Sequence, residues 1–197
     1  MINKIQTDTL LQFTDKIHKL SPQAADVFAT IWQPTEAKRK ELLTVASEPE
    51  RYLYFVVEGV QRVYYLDDNN REATLVFTYA PSFGGVLDAL LLQQPSAYYY
   101  ETLTPSILLR APILQLLQLM EQYYDIEVMV RKGVTAATSG VLGRLVELQC
   151  YSAEDRYKSL LKRSPHILQL VPHKYLANYL GMDATNFSKM MNKIKID

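Results

Sequence analysis

The chain has 197 residues, 48% of them hydrophobic, with 21 lysines and arginines balanced by 21 acidic residues and a single cysteine, Cys150. That is enough apolar material for one large domain or two small ones without covalent staples; an internal disulfide is excluded, and no run approaches the roughly 18 apolar residues of a membrane span. The N-terminal segment MINKIQTDTLLQFTDKIHKL breaks its apolar positions with charges, unlike a cleavable signal, so a soluble cytoplasmic protein is expected.

The first fifty residues read as helical. Leu10, Phe13, Ile17 and Leu20 recur at three- and four-residue spacing, Ser21-Pro22 supplies an N-cap followed by a proline at the first helical position, and Phe28, Ile31 and Trp32 carry the second helix to Pro34. From about Leu42 to Arg110 the period becomes two. YLYFVV, VQRVYY and ATLVFTY are rich in β-branched and aromatic residues, and alternation puts Leu75, Phe77 and Tyr79 on one face and Thr74, Val76 and Thr78 on the other. Glu58-Gly59 and LDDNNREA supply the turns. Short strands at this spacing indicate a small sandwich, barrel or β-roll.

After Pro112 the helical period returns. Ile113, Leu116, Leu117 and Met120 mark a short helix, and Asp125 is placed to cap a longer one reaching about Cys150. Along it, Ile126, Val130, Val134, Ala137, Val141, Leu145 and Leu148 form a stripe suited to a partner helix, flanked by Gly133, Ala136, Gly140 and Gly143. Glycine inside a helix costs about 1 kcal/mol relative to alanine, so close approach by another element is the expected compensation, either a second copy or the chain's own strands.

The tail is basic. From Arg156 to Ile196 eight lysines and arginines face one acid, Asp183. Within it, HKYLANYLGMDATNFSKMMNKIK carries Leu176 and Leu180 on one apolar face, the small Ala177, the turn glycine Gly181, and Asp183 as cap of a second helix. That helix would bury Phe187, Met190, Met191 and Ile194 and present Thr185, Ser188, Lys189 and Asn192, side chains suited to base edges and phosphates in a major groove.

This tail resembles the helix-turn-helix of the Crp/Fnr family of bacterial transcription regulators, and ERYLYFVVEGVQRVYYLDDNNREATLVFTYAPSFGG is similar to that family's cyclic-nucleotide-binding β-roll. The resemblance implies an α+β fold: a double-stranded β-helix (β-roll or jelly roll) with N-terminal helices over residues 1–124, a dimerisation helix over 125–150 and a helix-turn-helix over 151–197. It implies a homodimer that binds double-stranded DNA, with RNA polymerase and a small-molecule effector as further partners, and no catalysis. Lys174, Asp183, Thr185, Asn186, Ser188, Lys189, Asn192 and Lys193 are then the DNA-facing candidates. Where the family's activators place an Arg-Glu pair and a further Arg, this chain has Ala184, Thr185 and Lys189; lysine cannot reproduce arginine's bidentate fork on guanine, so another operator is expected. The sequence ends at Asp197, without the family's β-hairpin wing, so modest, salt-sensitive affinity resting on Arg156, Lys158, Lys174, Lys189, Lys193 and Lys195 is anticipated.

The segment FGGVLDALLLQQPSAYYYET aligns with the family's phosphate cradle, giving Phe83, Gly84, Gly85, Val86, Ser96, Ala97 and Tyr98 as an effector pocket. The glutamate that would accept the ribose falls on Gly85 or Val86, and the phosphate arginine on Pro95 or a gap; only Ser96 survives. Burying an anion without counter-charge is costly, so cyclic AMP or cyclic GMP is not expected as cofactor in the usual mode. The roll either takes a more apolar effector beside the tyrosines 98–100 or is filled by them. His18, His166 and His173 lie outside the strands, so no metal site is expected, and Cys150 reads as a buried small hydrophobe. An enzyme in the roll would need a carboxylate pair inside it, and the candidates, Glu58, Glu72 and Asp88, are all expected at turns or exposed. The competing function is an interaction module whose tail no longer touches DNA.

Overall fold

The computed structural model describes residues 2–193. Helix α1, Lys4–Ile17, starts in a capping box: Asn3 accepts from the Gln6 amide at 2.9 Å and Gln6 accepts from the Asn3 amide at 3.1 Å. Helix α2 spans Pro22–Thr30, with proline at its first position. It stops before Trp32, and the chain turns into strand β1, Gln33–Ala37, where sequence periodicity extends a helix to Pro34. The physical reason is Pro34 itself, which cannot donate into a helix and sits comfortably in a strand at the edge of its sheet.

The other strands are β2 (Leu42–Thr44), β3 (Tyr52–Glu58), β4 (Val60–Leu66), β5 (Glu72–Tyr79) and β6 (Ser82–Gly84), then the short helix α3 (Leu87–Leu92), β7 (Tyr99–Thr102) and β8 (Ser106–Pro112). They form two four-stranded antiparallel sheets in the orders β1-β8-β3-β6 and β2-β7-β4-β5, a β-roll in an α+β chain. The β3–β4 turn requires Gly59: its φ is +97°, and a Cβ there would collide with Ser106 and the Pro105 carbonyl. The expected alternation in β5 breaks at a bulge opposite Val63 and Tyr64, which pairs Thr74 with Tyr64 and leaves Leu75 exposed.

Helices α4 (Ile113–Gln122) and α5 (Tyr124–Cys150) follow. Leu10, Phe28, Trp32, Phe55, Leu109 and Leu116 make a core between the N-terminal helices and the β1-β8-β3-β6 sheet. Two members of the stripe expected to meet a partner helix belong to this core instead: Ile126 is buried in it and Val130 packs against it. Asp125 does not cap its own helix. It lies in the first turn and its carboxylate accepts the Ser21 amide at 3.0 Å, so it fixes the start of α2 to the start of α5. Cys150 is exposed at the end of α5, contrary to the buried hydrophobe anticipated, because its face of the helix turns away from the roll.

The chain ends in α6 (Ala153–Arg163), α7 (Ile167–Leu170), α8 (His173–Tyr179) and α9 (Ala184–Lys193). These helices enclose their own core of Tyr157, Leu160, Ile167, Leu176, Leu180 and Phe187, closed against the roll by Val60, Leu103, Phe77 and Tyr79. Ile194 and Lys195, expected on the inward face of the last helix and among the phosphate contacts, lie outside the described residues.

Candidate functional site

The interior of the roll is built around Tyr100. Its ring is fully buried among Tyr54, Val56, Val63, Val86, Ala89 and Leu108. Its hydroxyl lies 2.9 Å from the Thr78 hydroxyl, which also meets the Gln61 side-chain amide, and burial pushes the Tyr100 hydroxyl pKa up. A Cβ at Gly84 would collide with the Tyr100 hydroxyl, so the glycine of the FGG stretch makes room for a tyrosine of the same chain. Gly85, with φ of +127°, carries the chain from β6 towards α3.

The seven candidate pocket residues therefore do not converge on one space. Phe83 points out of the roll and packs edge-on against Phe13 and Phe55. Val86 is buried in the roll core and Ala97 is exposed. Tyr98 meets Tyr65 at the surface, and Tyr99 stacks on Tyr64 at 5.0 Å. Ser96 is buried but occupied: its hydroxyl donates to the Tyr98 carbonyl at 2.7 Å and accepts the Tyr98 amide at 3.0 Å. Two open clefts lie instead where the roll meets the C-terminal helices, one of about 580 Å³ between Arg39, the 103–105 segment and the 168–173 segment, the other beside Gly59 and Gln169.

Of the three roll carboxylates expected at turns or exposed, only Glu72 is half-buried. Glu58 and Asp88 are exposed, whereas Glu50 and Glu101 are buried. Glu50 accepts from the Thr44 hydroxyl, from the Arg51 amide at 3.0 Å and from the Tyr52 amide at 3.4 Å, and burial raises its pKa above the ordinary carboxylate value. Arg62 of β4, with a side chain only 3% exposed, is held by Glu72 in a two-pronged pair at 2.6 and 2.8 Å and by Glu101 at 2.9 Å. That guanidinium holds the Glu72 carboxyl below its usual range. Lys40 reaches Glu101 at 3.0 Å from the other side.

This cluster faces the C-terminal helices. The Arg62 guanidinium lies 4.1 Å from the ring centres of both Tyr64 and Tyr175, and the Tyr175 hydroxyl meets Lys40. One turn on in α8, the Asn178 side chain reads the backbone of edge strand β5, donating to the Glu72 carbonyl at 2.7 Å and accepting the Thr74 amide at 2.6 Å. On the opposite side, Arg144 of α5 donates to the Tyr179 carbonyl, and Glu147 takes Ser159 at 2.6 Å and Arg163 of α6. These contacts, between residues 12 to 135 positions apart, give α8 a fixed seat; nothing local in the sequence announces them.

From that seat, α8 turns at Gly181, φ +63°, into α9. Asp183 accepts the Asn186 amide at 2.7 Å as an N-cap and takes the Asn186 side-chain amide at 2.7 Å as well, so Asn186 is spent locally. Phe187 is buried, Met190 and Met191 are half-buried, and Thr185, Ser188, Lys189, Asn192 and Lys193 are exposed on the outer face. Ser188 turns its hydroxyl back to the Ala184 carbonyl at 2.9 Å. Lys174, also exposed, lies over the Tyr175 ring.

On α5, Val141, Leu142, Leu145, Val146 and Leu148 are between 43% and 58% exposed, and Cβ atoms at Gly133, Gly140 and Gly143 would meet nothing. The chain's own strands do not supply the close approach those glycines permit.

Residues 34–123 match the cyclic nucleotide-binding domain family. The matched span is the roll from β1 through α4. No curated protein matches the chain by sequence. Among solved structures, FixK2 from Bradyrhizobium japonicum superposes with a TM-score of 0.71 at 18% identity, over 83% of this chain and 84% of that one. The c-di-GMP-responsive global regulator CLP from Xanthomonas campestris gives 0.64 at 16% identity, over 88% and 91%. A protein from Eubacterium rectale assigned as a transcriptional regulator of the Crp/Fnr family gives 0.68 at 17% identity, over 90% and 88%. The α+β fold of this chain, a β-roll with several helices, is thus like that of these regulators.

Proposed function

We propose that the chain is a homodimeric, DNA-binding transcription regulator of the Crp/Fnr type, with α8 and α9 as its helix-turn-helix and the roll as a filled scaffold that does not take cyclic AMP or cyclic GMP in the usual mode. The observation that carries the reading is α9: its apolar side is used up in the C-terminal core while Thr185, Lys189 and Asn192 form an exposed polar row whose side chains have no partner among the described residues, with Lys193 beside them. Support for the filled roll comes from Tyr100, which occupies the space beside Gly84, and from the self-satisfied Ser96. Support for the dimer comes from the open apolar face of α5, on which a second copy would bury the same residues from both sides.

Selection of duplex DNA by the purified chain, followed by gel shift at 50 and 200 mM salt, tests the function. An enriched palindromic site is expected. If about four phosphates are neutralised, the fourfold rise in salt weakens binding about 150-fold. Absence of an enriched site together with absence of salt-dependent retardation would favour a module that binds a protein or a small molecule.

A further inference from the structure

The lysine at the end of α9 is not free to meet a phosphate. Lys193 Nζ lies 2.8 Å from one carboxylate oxygen of Glu154, and Lys158 Nζ lies 2.8 Å from the other. Glu154 stands in the first turn of α6, Lys158 one turn later, and Lys193 in the last described turn of α9, so two helices converge on a single carboxylate. Its neighbour Asp155 is engaged differently, in the cap with Ser152 at 2.6 Å. The two ammonium groups, Lys158 first, hold the Glu154 carboxyl at about 2, so it is ionised at any working pH. Glu154 stands two residues before the basic stretch that begins at Arg156, and it offsets two of that stretch's lysines.

A carboxylate whose two oxygens each take one lysine presents the same acceptors to that pair as two oxygens of a backbone phosphate. We propose that Glu154 is a built-in competitor for DNA phosphate, occupying Lys158 and Lys193 in the free protein and lowering affinity for any duplex. This rests on the DNA-binding reading above. The pair must leave Glu154 before it neutralises a phosphate, and because phosphate contacts carry no sequence information the effect falls equally on specific and non-specific DNA. All three groups are solvent-accessible, with side chains 32%, 54% and 69% exposed, so the competition is modest.

The test measures binding of the full chain to its selected duplex and to a scrambled duplex of equal length, by fluorescence anisotropy at 100 mM salt. Glu154→Gln should tighten both by about threefold to tenfold, the range expected from releasing two exposed ion pairs. In a Lys158→Gln/Lys193→Gln background the same change should give no gain. An unaltered affinity of Glu154→Gln beside a binding parent overturns the proposal alone, as does an equal gain in the lysine-free background, which would mark a long-range charge effect. A parent that binds no duplex overturns the DNA-binding reading itself. Melting temperatures of the variants show whether losing an acid from the first turn of α6 disturbs the helix.

Discussion

Tyr100→Ala is the sharpest perturbation of the filled roll. The residue is fully buried, its ring centre lies 5.7 Å from that of Tyr54, and its hydroxyl shares a hydrogen bond with Thr78. Truncating a buried aromatic to alanine removes its transfer energy and leaves a cavity, together about 3–5 kcal/mol. For a chain of this size that is a fall in melting temperature of roughly 10 °C. Tyr100→Phe removes only the hydroxyl; Thr78 keeps Gln61, so the loss is about 1 kcal/mol. Urea titrations followed by far-ultraviolet circular dichroism give both values, provided the transition is two-state. The cavity adds a second readout. Phenol at ten times its dissociation constant should stabilise Tyr100→Ala by about 1.4 kcal/mol and leave the parent unmoved. A loss below about 1 kcal/mol in Tyr100→Ala, or equal stabilisation of the parent by phenol, would show that the roll already holds room for a ligand and refute the argument.

Leu145→Glu, placed in the open apolar row of α5, should convert a dimer to a monomer by light scattering at micromolar concentration without lowering helix content; a monomeric parent would sink the dimer. Tyr175→Leu combined with Asn178→Ala should release α8 from the roll, raising amide exchange in α8 and α9 at least tenfold while β4 and β5 stay protected; unchanged exchange would mean the seat contributes less than about 1.4 kcal/mol. Glu50 has a folded pKa raised by burial, so its neutral form is the one the fold favours: its contribution is fully present below the unfolded value near 4.5 and is lost as pH rises through the higher folded value. Glu50→Gln should therefore gain stability over the parent as pH increases from 4 to 7, and a pH-independent difference would contradict the burial argument.

How much of this was legible in the sequence follows the range of the forces involved. Helix α9 was readable because its cap, its apolar spacing and its outer face all lie within eleven residues of Asp183. Strands β3 to β5 were readable from β-branched and aromatic alternation, up to the bulge that turns Thr74 towards the tail. QPTEA was not readable as a strand, since no apolar alternation marks it and only its pairing with β8 holds it extended. The α5 stripe has the spacing its period predicts, but a period shows that a face is apolar, not what covers it: Ile126 is covered by the chain's own core while Leu145 stays exposed. Nothing local in the sequence marks Glu101, because its partners stand 39 and 61 positions away.

The cost of the Arg62 cluster says something about its role. A guanidinium buried with one buried and one half-buried carboxylate rarely outperforms apolar side chains of the same volume, because desolvation consumes most of the Coulomb gain. Apolar contacts at this junction, however, tolerate sliding, while a two-pronged Glu72–Arg62 pair, a guanidinium between two rings and an Asn178 amide matched to the two peptides flanking Ala73 of β5 permit a single register of α8. In the FGG stretch, the space beside Gly84 is given to the Tyr100 hydroxyl. On the proposed reading of the roll as a scaffold, the charged face beneath α8 holds two helices in place, and sensitivity to mutation should be greatest on that face.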